Sequence, residues 1–132
     1  MATARACALL ACAMALPLAS APARAQAGAA CRSGGTVEEV NACAVQDFQA
    51  ADTAIAVLYG DVMRALSAHE RLQLRQEHGA WQRERTARCK QATRATEQQA
   101  DGPRLYHECL TRETQERRRG LMRWLSADTP AK

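Results

Sequence analysis

Four cysteines that follow an apolar N-terminal run, Cys31, Cys43, Cys89 and Cys109, are the residues of this chain best suited to chemistry. Thiols can form disulfides, hold zinc or carry redox reactions, and spacing separates these uses. No Cys-x-x-Cys occurs, and His107 with Cys109 is the only close His/Cys pair. Neither a zinc site nor a thioredoxin-like motif follows from that pattern. An even number of cysteines in a small exported chain reads instead as a disulfide framework, because the cell envelope is oxidising where the cytosol is not. No metal and no cofactor is expected.

Other reactive side chains are present without the company that catalysis requires. General acid–base work needs two carboxylates, or a carboxylate and a histidine, held in one pocket. Glu39, Asp47 and Asp52 lie along one helical segment, and nothing beside them forces a pocket. Asp52 borders the apolar stripe, where a buried charge demands a partner, and Arg85 or Arg117 can supply it. Asp52, Arg85 and Arg117 are therefore candidates for buried ion pairs. His69, His78 and His107 are scattered, and His78 falls on an inward stripe as a core residue. No nucleophile elbow and no glycine-rich phosphate loop is present. The chain is not expected to be an enzyme.

The beginning of the chain reads as a removable leader over 1–25. Arg5 gives the charged start, Ala6 to Ala21 is an almost unbroken apolar run, and Ala23-Arg24-Ala25 or Ala25-Gln26-Ala27 offers the cleavage pattern. Pro17 and the small-residue end argue against a membrane span. Leu9-Leu10-Ala11-Cys12 has the shape of a lipoprotein box, but Cys12 lies inside the apolar run, so lipidation there is disfavoured. Cys7 and Cys12 read as small apolar leader residues. The expected location is periplasmic or secreted. The whole chain has 18 Lys+Arg and 14 Asp+Glu; Arg5 and Arg24 leave with the leader, and 16 against 14 makes the mature chain +2. That near-neutral balance gives no reason to expect nucleic acid as a partner.

The elements that must position these residues are helical. Residues 26–35 form a lead-in, 36–125 one small domain and 126–132 a mobile tail. Thr36-Val37-Glu38-Glu39 is a capping box, followed by an apolar stripe through Val40, Ala44, Phe48, Ala51, Ile55, Leu58, Val62 and Leu66. Gly60 interrupts that stripe, which calls for a close neighbouring helix or a bend. Ser67-Ala68-His69-Glu70 is a second capping box, so a new helix starts at once and folds back as a hairpin. Its stripe is thin: Leu72, Leu74, His78, Trp81, Arg85, Cys89 and Ala92. Asp101-Gly102-Pro103 signals a turn, and a third helix runs from about Arg104 to Leu125. Its apolar residues sit at its two ends, and Thr111 to Gly120 is polar. It either docks by its ends or packs its middle through ion pairs.

The fold class is therefore all-α, an up-down-up bundle of three helices stapled by disulfides at one end. Phe48, Ile55, Leu58, Tyr59, Trp81, Leu110 and Leu121 are the expected structural core, with Trp81 at its centre. In this arrangement all four cysteines gather at the same end. Local pairing, Cys31 with Cys43 and Cys89 with Cys109, is favoured, and the two other connectivities stay open.

Taken in order, Thr36-x-x-Glu39-x-Asn41-x-Cys43-Ala44, Ala51-Asp52, Tyr59, Leu74-Arg75, Ala80-Trp81, Arg85 and Cys89 resemble the LprI-type lysozyme inhibitor family. Tyr106, Cys109-Leu110, Thr114, Arg117 and Leu121 continue the resemblance, as does the eleven-residue gap between Cys31 and Cys43. His78 stands where the family usually has Gln, and Thr86 where an acidic residue commonly follows the arginine. The resemblance implies a small exported bacterial protein of helical fold that binds a lysozyme-like hydrolase. Lysozymes of the vertebrate type are strongly cationic, and a +2 chain lacks the acidic field that would steer it toward them. The other reading from sequence is a periplasmic structural or interaction protein with a different partner. An acidic patch would favour the inhibitor, and an apolar or arginine-rich patch near Trp124 would favour the alternative.

Overall fold

The structure is a computed structural model and describes residues 28–126. The expected leader, with Cys7 and Cys12, and the tail beyond Ser126 lie outside the described residues. Three helices follow in order: α1 Val37–Ala65, α2 Ala68–Ala92 and α3 Gly102–Arg123. A short 3-10 turn, Arg94–Thr96, sits between α2 and α3, and no strand occurs among the described residues.

Local chemistry explains the boundaries. At the start of α1 the Glu39 amide donates to Thr36 Oγ1 while the Thr36 amide donates to Glu39 Oε2 at 2.8 Å. Ser67 and Glu70 repeat this reciprocal pair at the start of α2, with the Ser67 amide 2.9 Å from Glu70 Oε2. Each box satisfies donors that a helix start leaves free. Only the extended Leu66 and the cap Ser67 separate α1 from α2, which reverses the chain direction. α3 begins two residues earlier than expected, with Pro103 in its first turn, where a missing amide hydrogen costs nothing. Trp124 and Leu125 lie in a terminal turn after α3, not in the helix.

At the disulfide end, the Asn41 side chain near the start of α1 donates to Ala100 O at 2.8 Å and accepts from the Arg104 amide at 3.2 Å. One amide thus clasps the loop before α3 and its first turn, and sets α1 and α3 side by side in the same direction. Cys31–Cys43 ties the lead-in to α1, and Cys89–Cys109 ties α2 to α3. Local pairing is therefore the connectivity present. The two bridges differ in surroundings: Cys31 is exposed, whereas Cys89 and Cys109 are buried.

Packing separates into two apolar clusters. Cys89, Cys109 and Leu110 form one at the disulfide end, with Phe48 and Tyr106 against it. Ile55, Val62, Leu66, Leu74 and Leu121 form the other, toward the α1–α2 turn, with Leu58, Tyr59, Met63, Trp81 and Trp124 around it. Of the expected core, Ile55, Leu110 and Leu121 are buried. Phe48, Leu58, Tyr59 and Trp81 are half-buried at the cluster margins. Trp81 is thus not the central residue expected; Val62, Leu74 and Leu121 are the fully enclosed ones. Leu72 faces solvent because it lies about 200° around the helix from Leu74.

The backbones of α1 and α3 approach each other most closely. Ala44 and Ala51 on α1 face Thr111 and Gln115 on α3, and small side chains permit that approach. Between α1 and α2 the aromatic rings of Tyr59, His78 and Trp81 intervene. The hairpin expected from the second capping box is formed, but its two arms are held together mainly through side chains.

Two glycines contrast. A Cβ at Gly60 would meet only Arg64 Nη1, at 3.6 Å, so no neighbouring helix presses on it. A Cβ at Gly102 would lie 2.5 Å from Thr96 O and 2.9 Å from Glu97 O. Backbone oxygens of the α2–α3 loop cannot yield as a flexible side chain does. Gly60→Ala should raise stability by about 0.5–1 kcal/mol through improved helix propensity. Gly102→Ala should lower it by about 1–3 kcal/mol through overpacking. Urea unfolding of both variants beside the parent measures the two signs, and equal effects at the two sites would contradict this assignment.

Candidate functional site

Between the two apolar clusters lies a layer of polar and aromatic side chains, and every helix contributes to it. Arg85 projects from α2 into the bundle, with its side chain only 9% exposed. Its Nη1 donates to Asp52 Oδ1 on α1 at 2.7 Å and to Thr114 Oγ1 on α3 at 2.8 Å. Thr114 is buried and passes its own hydroxyl hydrogen to Leu110 O at 2.7 Å. The Arg85 guanidinium also stands 4.7 Å from the Trp81 ring centroid and 5.2 Å from that of Phe48. Cation–π contact matters for this planar ion because its Nε finds no oxygen acceptor.

Arg117 of α3 approaches Trp81 as well, with Cζ 5.5 Å from the ring centroid. Its Nη1 donates to Glu77 Oε1 at 2.7 Å. Of the three candidates for buried pairing, Asp52 and Arg85 therefore meet each other, while Arg117 pairs with a residue that sequence reasoning did not single out. Glu77 lies one residue before the inward His78, which hid it among the exposed positions of α2. Arg88 of α2 also bridges to Glu113 of α3 at 2.8 Å. The polar middle of α3 thus packs through Thr114 and ion pairs, while Leu110 and Leu121 anchor it toward its ends.

His78 occupies the same layer. It is buried, stacked on Tyr59 with centroids 4.3 Å apart, and 5.0 Å from the Trp81 ring. Its Nδ1 finds no hydrogen-bond partner, so it is a core residue with that nitrogen left unsatisfied. Burial first, then the charges of Arg117 and Arg85, push its pKa down from the usual 6.5 to about 4. The ring is neutral at physiological pH and serves as a flat packing surface.

This geometry holds the three helices together. Asp52 is committed to Arg85, the Thr114 hydroxyl to Leu110 O, and His78 is enclosed by rings. No cluster of metal-ligating side chains occurs among the described residues. No helix among them is long and apolar enough to cross a membrane. Beside the layer, α1 and α3 border an open groove of about 380 Å³, lined by Asp47, Ala51, Thr111, Gln115 and Arg118 among others.

A family model described as Lysozyme inhibitor LprI matches residues 28–121. No curated protein and no solved structure matches the chain.

Two outcomes test the layer. Asp52→Ala strips a buried cation of its carboxylate and should cost about 3 kcal/mol. Arg85→Met removes the charge, keeps most of the bulk and leaves Asp52, whose side chain is 45% exposed, to water. It should cost less, about 1 kcal/mol. Thermal or urea unfolding that ranks the variants the other way would show that Arg85 is not the buried member of the pair.

The second outcome concerns acid. Between pH 6.5 and about 4 the unfolded chain takes a proton at His78 that the folded chain refuses. Stability from this residue is therefore complete above pH 6.5 and declines as pH falls toward 4, by about 1–3 kcal/mol. His78→Gln should flatten the pH dependence of the unfolding midpoint in that window. An unchanged profile would mean the ring is open to water.

Proposed function

Because the chain belongs to the LprI lysozyme inhibitor family, we propose that it is an exported envelope protein that binds a lysozyme-like hydrolase and blocks it. The observation that carries this reading is the extent of the match, which spans both disulfides, all but the end of α3 and the whole of α1 and α2. The protein acts by docking and not by catalysis. Its disulfides suit an oxidising compartment outside the cytoplasm, in line with the leader read from residues 1–25.

A cross-linked bundle loses little freedom on docking, which favours binding by a preorganised surface. A mature charge of +2 provides no long-range attraction to a cationic lysozyme. Contact shape and individual carboxylates then set the affinity, so inhibition should depend little on salt.

A second reading, an interaction protein of the envelope with a different partner, is favoured by one observation. Met122 and Leu125 are 45% and 46% exposed beside the half-buried Trp124, which is the apolar patch that a different partner would use.

Lysis of cell-wall suspensions by lysozyme, with and without stoichiometric oxidised protein, separates the two. Slowed lysis at sub-micromolar protein, abolished by reduction of the disulfides, is the expected result. Failure to slow lysozymes of any type at tens of micromolar would overturn inhibition and leave the interaction protein.

A further inference from the structure

An open cleft of about 730 Å³ lies at the disulfide end, bordered by the last turns of α2, the 3-10 turn and the first turns of α3. It does not overlap the polar layer or the α1–α3 groove. Lys90, Arg94, Glu97, Pro103, Tyr106 and His107 line it. Lys90 sits in the last turn of α2 and Arg94 opens the 3-10 turn, and neither has an ion-pair partner among the described residues. Arg88 and Arg104, close by in sequence, are both occupied by carboxylates. Two free cations on one wall suit an anionic group.

The facing wall has a different character. Tyr106 and His107 meet edge to face with centroids 5.3 Å apart, and Pro103 continues the apolar surface. His107 Nδ1 lies 2.7 Å from Pro103 O. A carbonyl only accepts, so Nδ1 carries the hydrogen and Nε2 of the neutral ring is left as an acceptor. Glu97 adds acceptors, and the amide of Gln91 adds both donors and acceptors.

The walls are also fixed. Cys89–Cys109 cross-links the two helices behind the cleft, Gly102 seats α3 against the loop backbone, and Asn41 clasps the loop from α1. A cleft of this size, with an aromatic wall and a few convergent polar groups, has the form of a small-ligand site.

We propose that this cleft binds an acidic saccharide, a sugar ring that carries a carboxylate. The ring's apolar face lies on Tyr106 and Pro103, its hydroxyls meet Glu97 and His107, and its carboxylate meets Lys90 and Arg94. This assignment stands apart from lysozyme inhibition and holds whether or not a hydrolase is blocked.

The test is a titration of isotope-labelled oxidised protein, followed by amide chemical shifts. The probes are the disaccharide of N-acetylglucosamine and N-acetylmuramic acid, neutral diacetylchitobiose and inorganic phosphate. The acidic disaccharide should shift amides of 87–107, and the neutral one should bind more weakly. The exposed double variant Lys90→Gln, Arg94→Gln should keep its thermal midpoint and bind the acidic disaccharide about a hundredfold more weakly, about tenfold for each of the two charge-assisted hydrogen bonds removed. Tight binding by phosphate alone, equal binding of the two disaccharides, or an undiminished affinity in the double variant would each overturn the proposal.

Discussion

A guanidinium removed from water needs partners on several sides, and Arg85 draws them from all three helices. Asp52 comes from α1, Thr114 from α3 and the Trp81 ring from its own helix. Burial of one cation therefore fixes the axial register of three elements at once. A shift of α1 by one turn, about 5.4 Å, would carry Asp52 out of reach and leave the charge unpaired. Apolar clusters tolerate such slips more readily, because hydrophobic contact is not directional. The polar layer supplies the specificity that the thin apolar face of α2 lacks.

The division of labour along the bundle follows from composition. Only Leu74 on α2 is a large and fully buried aliphatic residue, so α2 cannot be held by hydrophobic area alone. The chain compensates with a buried covalent link at Cys89, ion pairs to Glu113 and Arg117 of α3, and rings stacked against α1. Small domains bury a limited fraction of their surface, and a cross-link that restricts the unfolded chain offsets part of that deficit.

Features with a local cause were legible in the sequence. Both capping boxes, the stripe of α1 and the clustering of the cysteines at one end depend on residues close together in the chain or on a simple period. Gly60 and Trp81 were harder. A glycine in a stripe suggests a close helix, yet the close approach of α1 to α3 runs through Ala44 and Ala51, and the space beside Gly60 holds only the Arg64 side chain. Trp81 is the largest apolar group of its helix, but two arginines take its faces and keep it at the margin. Long-range pairs such as Arg117 with Glu77, or the Asn41 clasp, join residues about 40 and about 60 positions apart, and no periodicity encodes them. Asn41 did stand among the residues that carry the family resemblance, without a reason attached; its bonds to Ala100 and Arg104 supply one.

The placement of constraints also bears on where a partner can engage. The interior cations each hold one carboxylate, though Arg85 Nε and His78 Nδ1 stay without a partner, and this layer braces the surface around it. The disulfide end is the most heavily cross-linked part of that surface. There a buried cross-link, a glycine seated against loop backbone and a bidentate asparagine converge on one short segment, 89–109. Rigidity costs a chain conformational freedom when it folds, and it lowers the further entropy lost when something binds. At the opposite end the helices finish in an apolar turn around Trp124, with Met122 and Leu125 exposed and no cross-link beyond Leu121. The two ends of the bundle thus differ in build: one is cross-linked and clasped, while at the other Trp124 closes over the apolar cluster and no disulfide reaches it.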